Sequence, residues 1–334
     1  MTALPLRAAI PGPTPEGWYY LCREVELRPG QLRTLRLAGE EWVLWRSAAG
    51  SLHLQSAWCP HLGAHLGHGG RVEGETVVCP FHGFAFDGQG SCVANGYGTR
   101  PPRQAHLPSR PAVALHGLVF GWVGAGEPNW RPDPGEVDGW SPFRIHSWEL
   151  RGHPQETSEN SVDVGHFAHV HGYVQVQTLQ AAQAQGPLLS ARYSFEKPLP
   201  WGRLREEIDI AVWGLGYSRV EVRDHTFGAR FRLMVMPTPL EDDRIRLSIG
   251  IAVQDPDRAS RAPWRFVPRW IARGLVSRIA LRFYAADVER DFRIWKNKSW
   301  LARPALAEGD GPIGRFRVWA RQFYPSSASE PVLP

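Results

Sequence analysis

Two short runs constrain this chain more than anything else in it. Cys59-Pro60-His61 is followed after 17 residues by Cys79-Pro80-Phe81-His82, a C-x-H-x17-C-x2-H pattern. Each run offers one thiolate and one imidazole on its own loop, so two loops can clamp one metal group between them. Two thiolates and two imidazoles suit a [2Fe–2S] cluster in which one iron takes both cysteines and the other both histidines. Replacing thiolates by neutral imidazoles removes negative charge and raises the reduction potential. Zinc takes the same residue types, but a zinc finger places both cysteines on one side and both histidines on a helix. Here each pair is mixed. Glycines at 63, 67, 69, 70, 83 and 88 supply the tight turns that paired loops between strands need.

The remaining cysteines, Cys22 and Cys92, lack a partner at ligand spacing and read as small packed residues. Cysteines grouped with histidine argue for metal rather than disulfides, which fits a reducing cytoplasm. His65 and His68 lie beside the first motif but outside its spacing. The N-terminal stretch, Met1 to Pro15, contains four prolines and no apolar run, so neither a leader nor an anchor is expected in it. No run of 18 apolar residues occurs in the 334-residue chain, and no transmembrane helix is expected. The net charge of +5 comes mostly from arginines interleaved with Asp and Glu, not from a basic tract. A mildly basic surface is the simpler reading, and no nucleic-acid partner is expected.

From Gly17 to about residue 125 the pattern is short strands and turns. Trp42–Trp45 and Leu52–Leu54 flank a turn containing Gly50 and read as a hairpin; Thr76–Val78 and Leu118–Phe120 are further short β runs. The Gly/Pro-rich stretch 126–139 reads as a linker. Beyond it, alternation marks strands at Ala191–Phe195, Leu204–Val212, Tyr217–Val222, Ala229–Met236 and Ile245–Val253, and a helical region follows from about Trp264 to Lys296. The expected organisation is an N-terminal extension (1–16), an all-β domain (17–125), the linker (126–139) and an α+β domain (140–334) with its long helix on one sheet face.

A second histidine group falls in the α+β domain. Residues 159–171 contain Glu159, Asn160 and then D-x2-H-x4-H, formed by Asp163, His166 and His171. Asp163 and His166 share a helix face at three apart. His171 comes five after His166, so a helix must bend or loosen to bring both imidazoles to one metal. With a distant carboxylate they would form a 2-His-1-carboxylate triad, which leaves open positions on Fe(II). Taken alone, this spacing also suits a solvated polar helix. His153 and His169 lie off the motif. Asp287 and Asp291 share a helix face in the C-terminal helical region, and Asp291 opens the run D-x2-I-W-x-N-K. Asp287 and Glu289 are expected as surface charge, with Asp287 kept open as an alternative to Asp291.

The Cys-Pro-His and Cys-Pro-Phe-His cores, followed by Gly-Phe-Ala-Phe-Asp, resemble Rieske domains. Together with the second motif, the chain resembles the catalytic components of Rieske oxygenases over nearly its whole length. The run around Asp291 and the segment 310–324 are similar to the steroid- and sterol-acting members, the cholesterol 7-desaturases and 3-ketosteroid 9α-hydroxylases. The resemblance implies an all-β Rieske domain followed by a helix-grip domain, whose sheet and long C-terminal helix cup an apolar cavity. It implies a [2Fe–2S] cluster on Cys59, His61, Cys79 and His82, and mononuclear Fe(II) on His166, His171 and Asp291. O2 is the implied cosubstrate. Asp163 would bond His166 and a cluster histidine of a neighbouring subunit, with Asn160 beside it, in a homotrimer. Electrons would come from NAD(P)H through a separate reductase or ferredoxin, since no G-x-G-x-x-G motif is present.

The implied reaction is hydroxylation or desaturation of an apolar ring substrate, a sterol or steroid first. An aromatic or other polycyclic natural product is the alternative, and an electron-transfer protein or a lipid carrier are rivals of other kinds. Residues 258–282 place arginines at 258, 261, 265, 269 and 273 among Trp264, Trp270, Ile271, Leu275 and Ile279. This is the pattern of a basic amphipathic helix, suited to peripheral membrane contact, to an acidic electron donor, or simply to covering the core.

Overall fold

The computed structural model describes residues 10–133, 135–200, 202–241, 243–254 and 269–325, with side chains in the last stretch described from residue 274. Two compact units emerge. One comprises Trp18–Asn129 with Pro239–Asp242; the other comprises Met1–Gly17, Trp130–Thr238 and Asp243–Pro334.

The first unit is all β. Strands β1 (Gly17–Arg23), β2 (Leu32–Leu37), β3 (Glu40–Arg46) and β4 (Leu52–Ser56) precede a run of shorter ones. These are β5 (Arg71–Glu73), β6 (Thr76–Val78), β7 (Ala85–Phe86) and β8 (Cys92–Ala94). β9 (Ser109–Arg110), β10 (Ala112–Leu115) and β11 (Leu118–Val123) complete the unit. They form sheets ordered β1-β11-β10, β2-β3-β4-β9 and β5-β6-β7-β8. The hairpin expected around Gly50 is present as β3 and β4, with Trp45 opposite His53. Because side chains alternate along a strand, β3 feeds two cores. Trp42 and Leu44 join Tyr19, Leu54 and Val119, while Val43 and Trp45 join Cys59, Cys79, Phe84 and Phe86. The second core thus stands directly behind both motif cysteines.

The other unit is built on seven antiparallel strands: β12 (Arg144–Arg151), β13 (Val174–Gln185), β14 (Leu188–Leu199), β15 (Gly202–Trp213), β16 (Tyr217–Asp224), β17 (Ala229–Glu241) and β18 (Arg244–Val253). Their order is β12-β18-β17-β16-β15-β14-β13. The five strands expected from alternation lie inside β14 to β18. The sequence reading missed β12 and β13. Both are edge strands, and β13 is exposed along most of its length, so its Gln-rich sequence carries little apolar alternation.

Four α-helices are described: α1 (Pro154–Glu159), α2 (Val164–His169), α3 (Arg269–Trp295) and α4 (Ile313–Ala320). α3 packs on β18 and β12. Its buried positions include Ser277, Ala280, Tyr284, Asp287, Asp291 and Trp295, spaced for one face. Leu275 and Ile279, expected within an amphipathic helix, fall off that face and are exposed. Arg258, Arg261, Trp264 and Arg265 lie outside the described residues. The architecture is α+β, an all-β domain followed by a helix-grip domain.

Candidate metal centres

At the first centre the two motif loops repeat one backbone design. The Cys59 N–H donates to Ala64 O at 2.9 Å, and Gly63 N–H returns to Cys59 O at 2.9 Å. In the other loop, Cys79 N–H donates to Phe84 O at 2.8 Å and Gly83 N–H to Cys79 O at 3.2 Å. Gly63 and Gly83 have φ of 74° and 66°, a region costly for residues with a side chain. A Cβ at Gly83 would also stand 3.0 Å from the backbone of Gly96. The loops therefore present their cysteines in matched fashion, each followed by its histidine. His61 and His82 have ring centroids 4.8 Å apart, and His61 stacks on Phe84.

Both cysteines are buried and unbridged. Burial pushes the Cys59 thiol up to about 11. Bound metal would reverse that, since a coordinating thiol is deprotonated. Two thiols and two imidazoles on paired loops, with the histidine rings side by side, fit a two-iron cluster. Among the described residues only the group His166, His171 and Asp291 brings three ligand atoms within 4.8 Å of one another. His65 lies outside the Cys/His set, accepting from Gly67 N–H at 3.1 Å.

The second centre is assembled from α2, the turn after it, and α3. The histidine spacing is resolved by ending the helix. α2 stops at His169, and Gly172 (φ 70°) turns the chain so that His171 sits beyond the helix, its ring 5.0 Å from that of His166. Asp291 enters from α3, with Oδ2 3.6 Å from His171 Nε2. That is too long for a hydrogen bond and suits two ligands of one ion, whose donors at about 2.1 Å from the metal lie some 3–4 Å apart. Burial pushes Asp291 up to about 6 and His166 down to about 4. Each is driven toward its neutral form, and a divalent cation would stabilise the carboxylate and use the neutral imidazole. These residues fit a mononuclear Fe(II) with open positions.

Asp163 is the N-cap of α2. Its Oδ1 accepts from His166 N–H at 3.2 Å, whereas the ring Nδ1 bonds the Asp163 backbone carbonyl and stands 4.0 Å from Oδ1. Asp163 thus bonds His166 twice, its capping carboxylate accepting the backbone N–H and its carbonyl bonding the ring. The ring still leaves Nε2 for metal. Asn160 ends α1, half-buried. Its neighbour Glu159 takes both arms of a guanidinium, from Arg317 Nε and Nη2 at 2.7 and 2.8 Å, tying α1 to α4. His153 caps the start of α1 by accepting from Gln155 N–H.

Asp287 departs from expectation most. It is buried, not surface charge. Lys197 Nζ reaches Oδ1 at 2.7 Å, Tyr173 donates its hydroxyl to Oδ2, and His171 Nδ1 lies 3.6 Å from Oδ2. Burial would raise this carboxyl, but His171 and the Lys197 ammonium outweigh it and hold Asp287 well below the usual carboxylate range. Glu289 is exposed and accepts from Trp148 Nε1–H at 3.1 Å. Sequence reasoning overlooked Lys197 and Glu206. Both sit in phase with apolar, inward-facing positions of β14 and β15, and a charge in that phase is the signal that would have found them. Glu206 accepts from Tyr284 at 2.6 Å, and burial raises it to about 7.

Residues 125–324 match the 3-ketosteroid 9alpha-hydroxylase C-terminal domain, and residues 17–106 match the Rieske [2Fe-2S] domain. A cholesterol 7-desaturase of Ciona intestinalis is 28% identical over 97% of this chain and 72% of its own length. A probable 3-ketosteroid-9-alpha-monooxygenase oxygenase component of Rhodococcus rhodochrous is 27% identical over 92% of this chain and 79% of its own. Among solved structures, dicamba monooxygenase bound to 3,6-dichlorosalicylic acid superposes with a TM-score of 0.71 at 18% identity, covering 96% of this chain and 98% of that one. With both domain models matched in order, the chain belongs to the Rieske non-haem iron oxygenases whose catalytic domain is of the 3-ketosteroid 9alpha-hydroxylase C-terminal type.

Proposed function

We propose that this oxygenase hydroxylates or desaturates a sterol or steroid, with Cys59, His61, Cys79 and His82 holding the [2Fe–2S] cluster and His166, His171 and Asp291 holding mononuclear Fe(II). The observation that carries the reading is the convergence of His166, His171 and Asp291 from α2, the turn after it and α3, beside an otherwise apolar core. Iron bound there supplies O2 activation at its open positions. The protein's own part is to hold the His166 imidazole neutral by burial and to supply one carboxylate, beside an apolar cluster that reaches the site through Phe167, whose ring packs on that of His166. Apolar surroundings of this kind suit a rigid apolar ring system. The names of the similar desaturases and ketosteroid monooxygenases narrow that class to sterols and steroids.

Electrons come from NAD(P)H through a separate reductase or ferredoxin, and the enzyme is a homotrimer. In it, Asp163 joins His166 to a cluster histidine of the neighbouring subunit, with Asn160 beside it. Support for an interface at the cluster end comes from Trp58, Leu62, Phe81 and Tyr97, exposed apolar residues around the motif loops. The boundary between the domains falls in 126–139. Among the described residues no helix is long and apolar enough to cross a membrane. What supports a cytoplasmic location, with peripheral contact to a sterol-bearing membrane, is the set of unbridged cysteines grouped with histidines.

The test is iron and acid-labile sulfide content of anaerobically purified protein, with an EPR spectrum after reduction. About three irons and two sulfides per chain with a Rieske-type signal are expected. Oxygen uptake with a surrogate reductase should then respond to sterols or 3-ketosteroids and yield a hydroxylated or desaturated product by mass spectrometry. Zinc without sulfide would overturn the ligand assignment, and turnover confined to small planar aromatics would overturn the substrate.

A further inference from the structure

Three buried residues, Tyr173, Lys197 and Asp287, sit directly behind His171 of the second centre. His171 turns Nε2 toward Asp291 and Nδ1 toward Asp287, each at 3.6 Å. Nδ1 is buried and has no hydrogen-bond partner among the described atoms. A buried ring N–H without an acceptor is costly, and Asp287 Oδ2 is a carboxylate oxygen facing it. A displacement of about 0.7 Å would close the gap to a hydrogen bond. The carboxylate is itself held from two sides, by Lys197 Nζ on Oδ1 at 2.7 Å and by the Tyr173 hydroxyl on Oδ2. Lys197 is confined in turn, with Nζ 4.1 Å from the Phe283 ring centroid and 5.2 Å from that of Tyr173.

From this arrangement we infer that Asp287 is a positioning residue for the mononuclear centre, accepting the His171 Nδ1–H and so fixing the tautomer that leaves Nε2 for the metal. The inference rests on the proposed ligand set of His166, His171 and Asp291. A carboxylate behind a ligating histidine fixes its orientation and raises its basicity. Lys197 and Tyr173 serve this role indirectly, by orienting the carboxylate. Placing Asp287 four residues before Asp291 lets one face of α3 supply both the ligand and the support of the neighbouring ligand.

Asp287→Asn tests this with little change of shape. Lys197 only donates, so it draws the amide oxygen to the Oδ1 position and leaves the NH2 facing His171. Donor then meets donor, and the ring is pushed toward the tautomer with its proton on Nε2. Binding of ferrous iron, measured anaerobically against a chelator, should weaken by roughly 10–100-fold. The EPR spectrum of the ferrous nitrosyl adduct should change, while the reduced-cluster signal stays as in the parent. Tyr173→Phe, which keeps ring packing, should weaken iron binding by a few fold and serves if the Asn variant fails to fold. Asp287→Glu should bind iron more tightly than Asp287→Asn.

Asp291→Ala is made in parallel. If it loses the iron while Asp287→Asn and Tyr173→Phe bind iron and nitric oxide as the parent does, the positioning role is wrong and the ligand set stands. If Asp291→Ala keeps the iron and Asp287→Asn loses it, the ligand set itself is wrong and Asp287 is the third ligand.

Discussion

At the first centre every proposed donor lies between Cys59 and His82, on two loops with the same backbone hydrogen bonds. At the second, the proposed donors come from α2, the turn beyond it, and α3, with the six strands β13 to β18 between the histidines and Asp291 in sequence. The first is therefore a local construction, specified by spacing and two left-handed glycines. The second exists only once β14, β15 and α3 have packed. The difference teaches where each should be fragile: ligand or turn changes at the first, packing changes far from the metal at the second.

The sharpest test of that contrast removes one ligand from each. Cys79→Ser should abolish the cluster, with sulfide and the reduced EPR signal falling to background, yet leave mononuclear iron in place. Asp291→Ala should do the reverse, leaving the visible spectrum of the cluster intact. In either variant, turnover should drop to background. Loss of both metals from Cys79→Ser would show that the centres are not independently built. Asp163→Asn is a milder case. Both metals should remain, and turnover with a reductase should fall by about 100-fold, read as oxygen uptake per iron; unchanged coupled turnover would remove Asp163 from the electron path.

Packing is probed by Arg317→Ala, which strands the Glu159 carboxylate. Breaking such a pair typically costs about 3–5 kcal/mol, and here Glu159 and Arg317 side chains are only 9% and 15% exposed. Calorimetry should show the catalytic unit melting earlier and iron lost with it, while the cluster absorbance persists to the parent temperature. If both centres fail together, the contrast between a local and an assembled site does not hold.

The smallest expected effect concerns acid. His153 is buried, and burial lowers it from the ordinary 6.5 to about 4. Its Nδ1 accepts from Gln155 N–H and its Nε2 faces Pro13 O, an arrangement that needs the neutral ring. As pH falls the unfolded chain takes up the proton first. The contribution is whole above about 6.5 and is lost progressively down to about 4, reaching at most ~3 kcal/mol. His153→Asn, which can still cap α1, should flatten this part of the stability–pH curve measured by denaturant titration.

Some of this was legible in the chain before any fold was known. C-x-H-x17-C-x2-H needs only two adjacent loops, so spacing alone was enough to read it. The strands β14 to β18 announced themselves by alternation, because each has one buried face. β13 did not, being an exposed edge. D-x2-H-x4-H was ambiguous, since a continuous helix cannot bring His166 and His171 together; the answer was a helix end at His169 and a glycine turn at 172. Asp287 was misjudged as surface charge because the strand that carries Lys197 lies far away in sequence.

What the sequence determined by itself was local: donor types, their spacing within a loop, strand periodicity and the two-part organisation of the chain. Only the tertiary structure decided which carboxylate of α3 meets His171 Nε2 and which faces Nδ1. Asp287 and Asp291 share one helix face, so periodicity cannot separate them. The choice is made by the register of α3 against the sheet, where Lys197 and Tyr173 claim the first and leave the second facing His171 Nε2, at the proposed metal site.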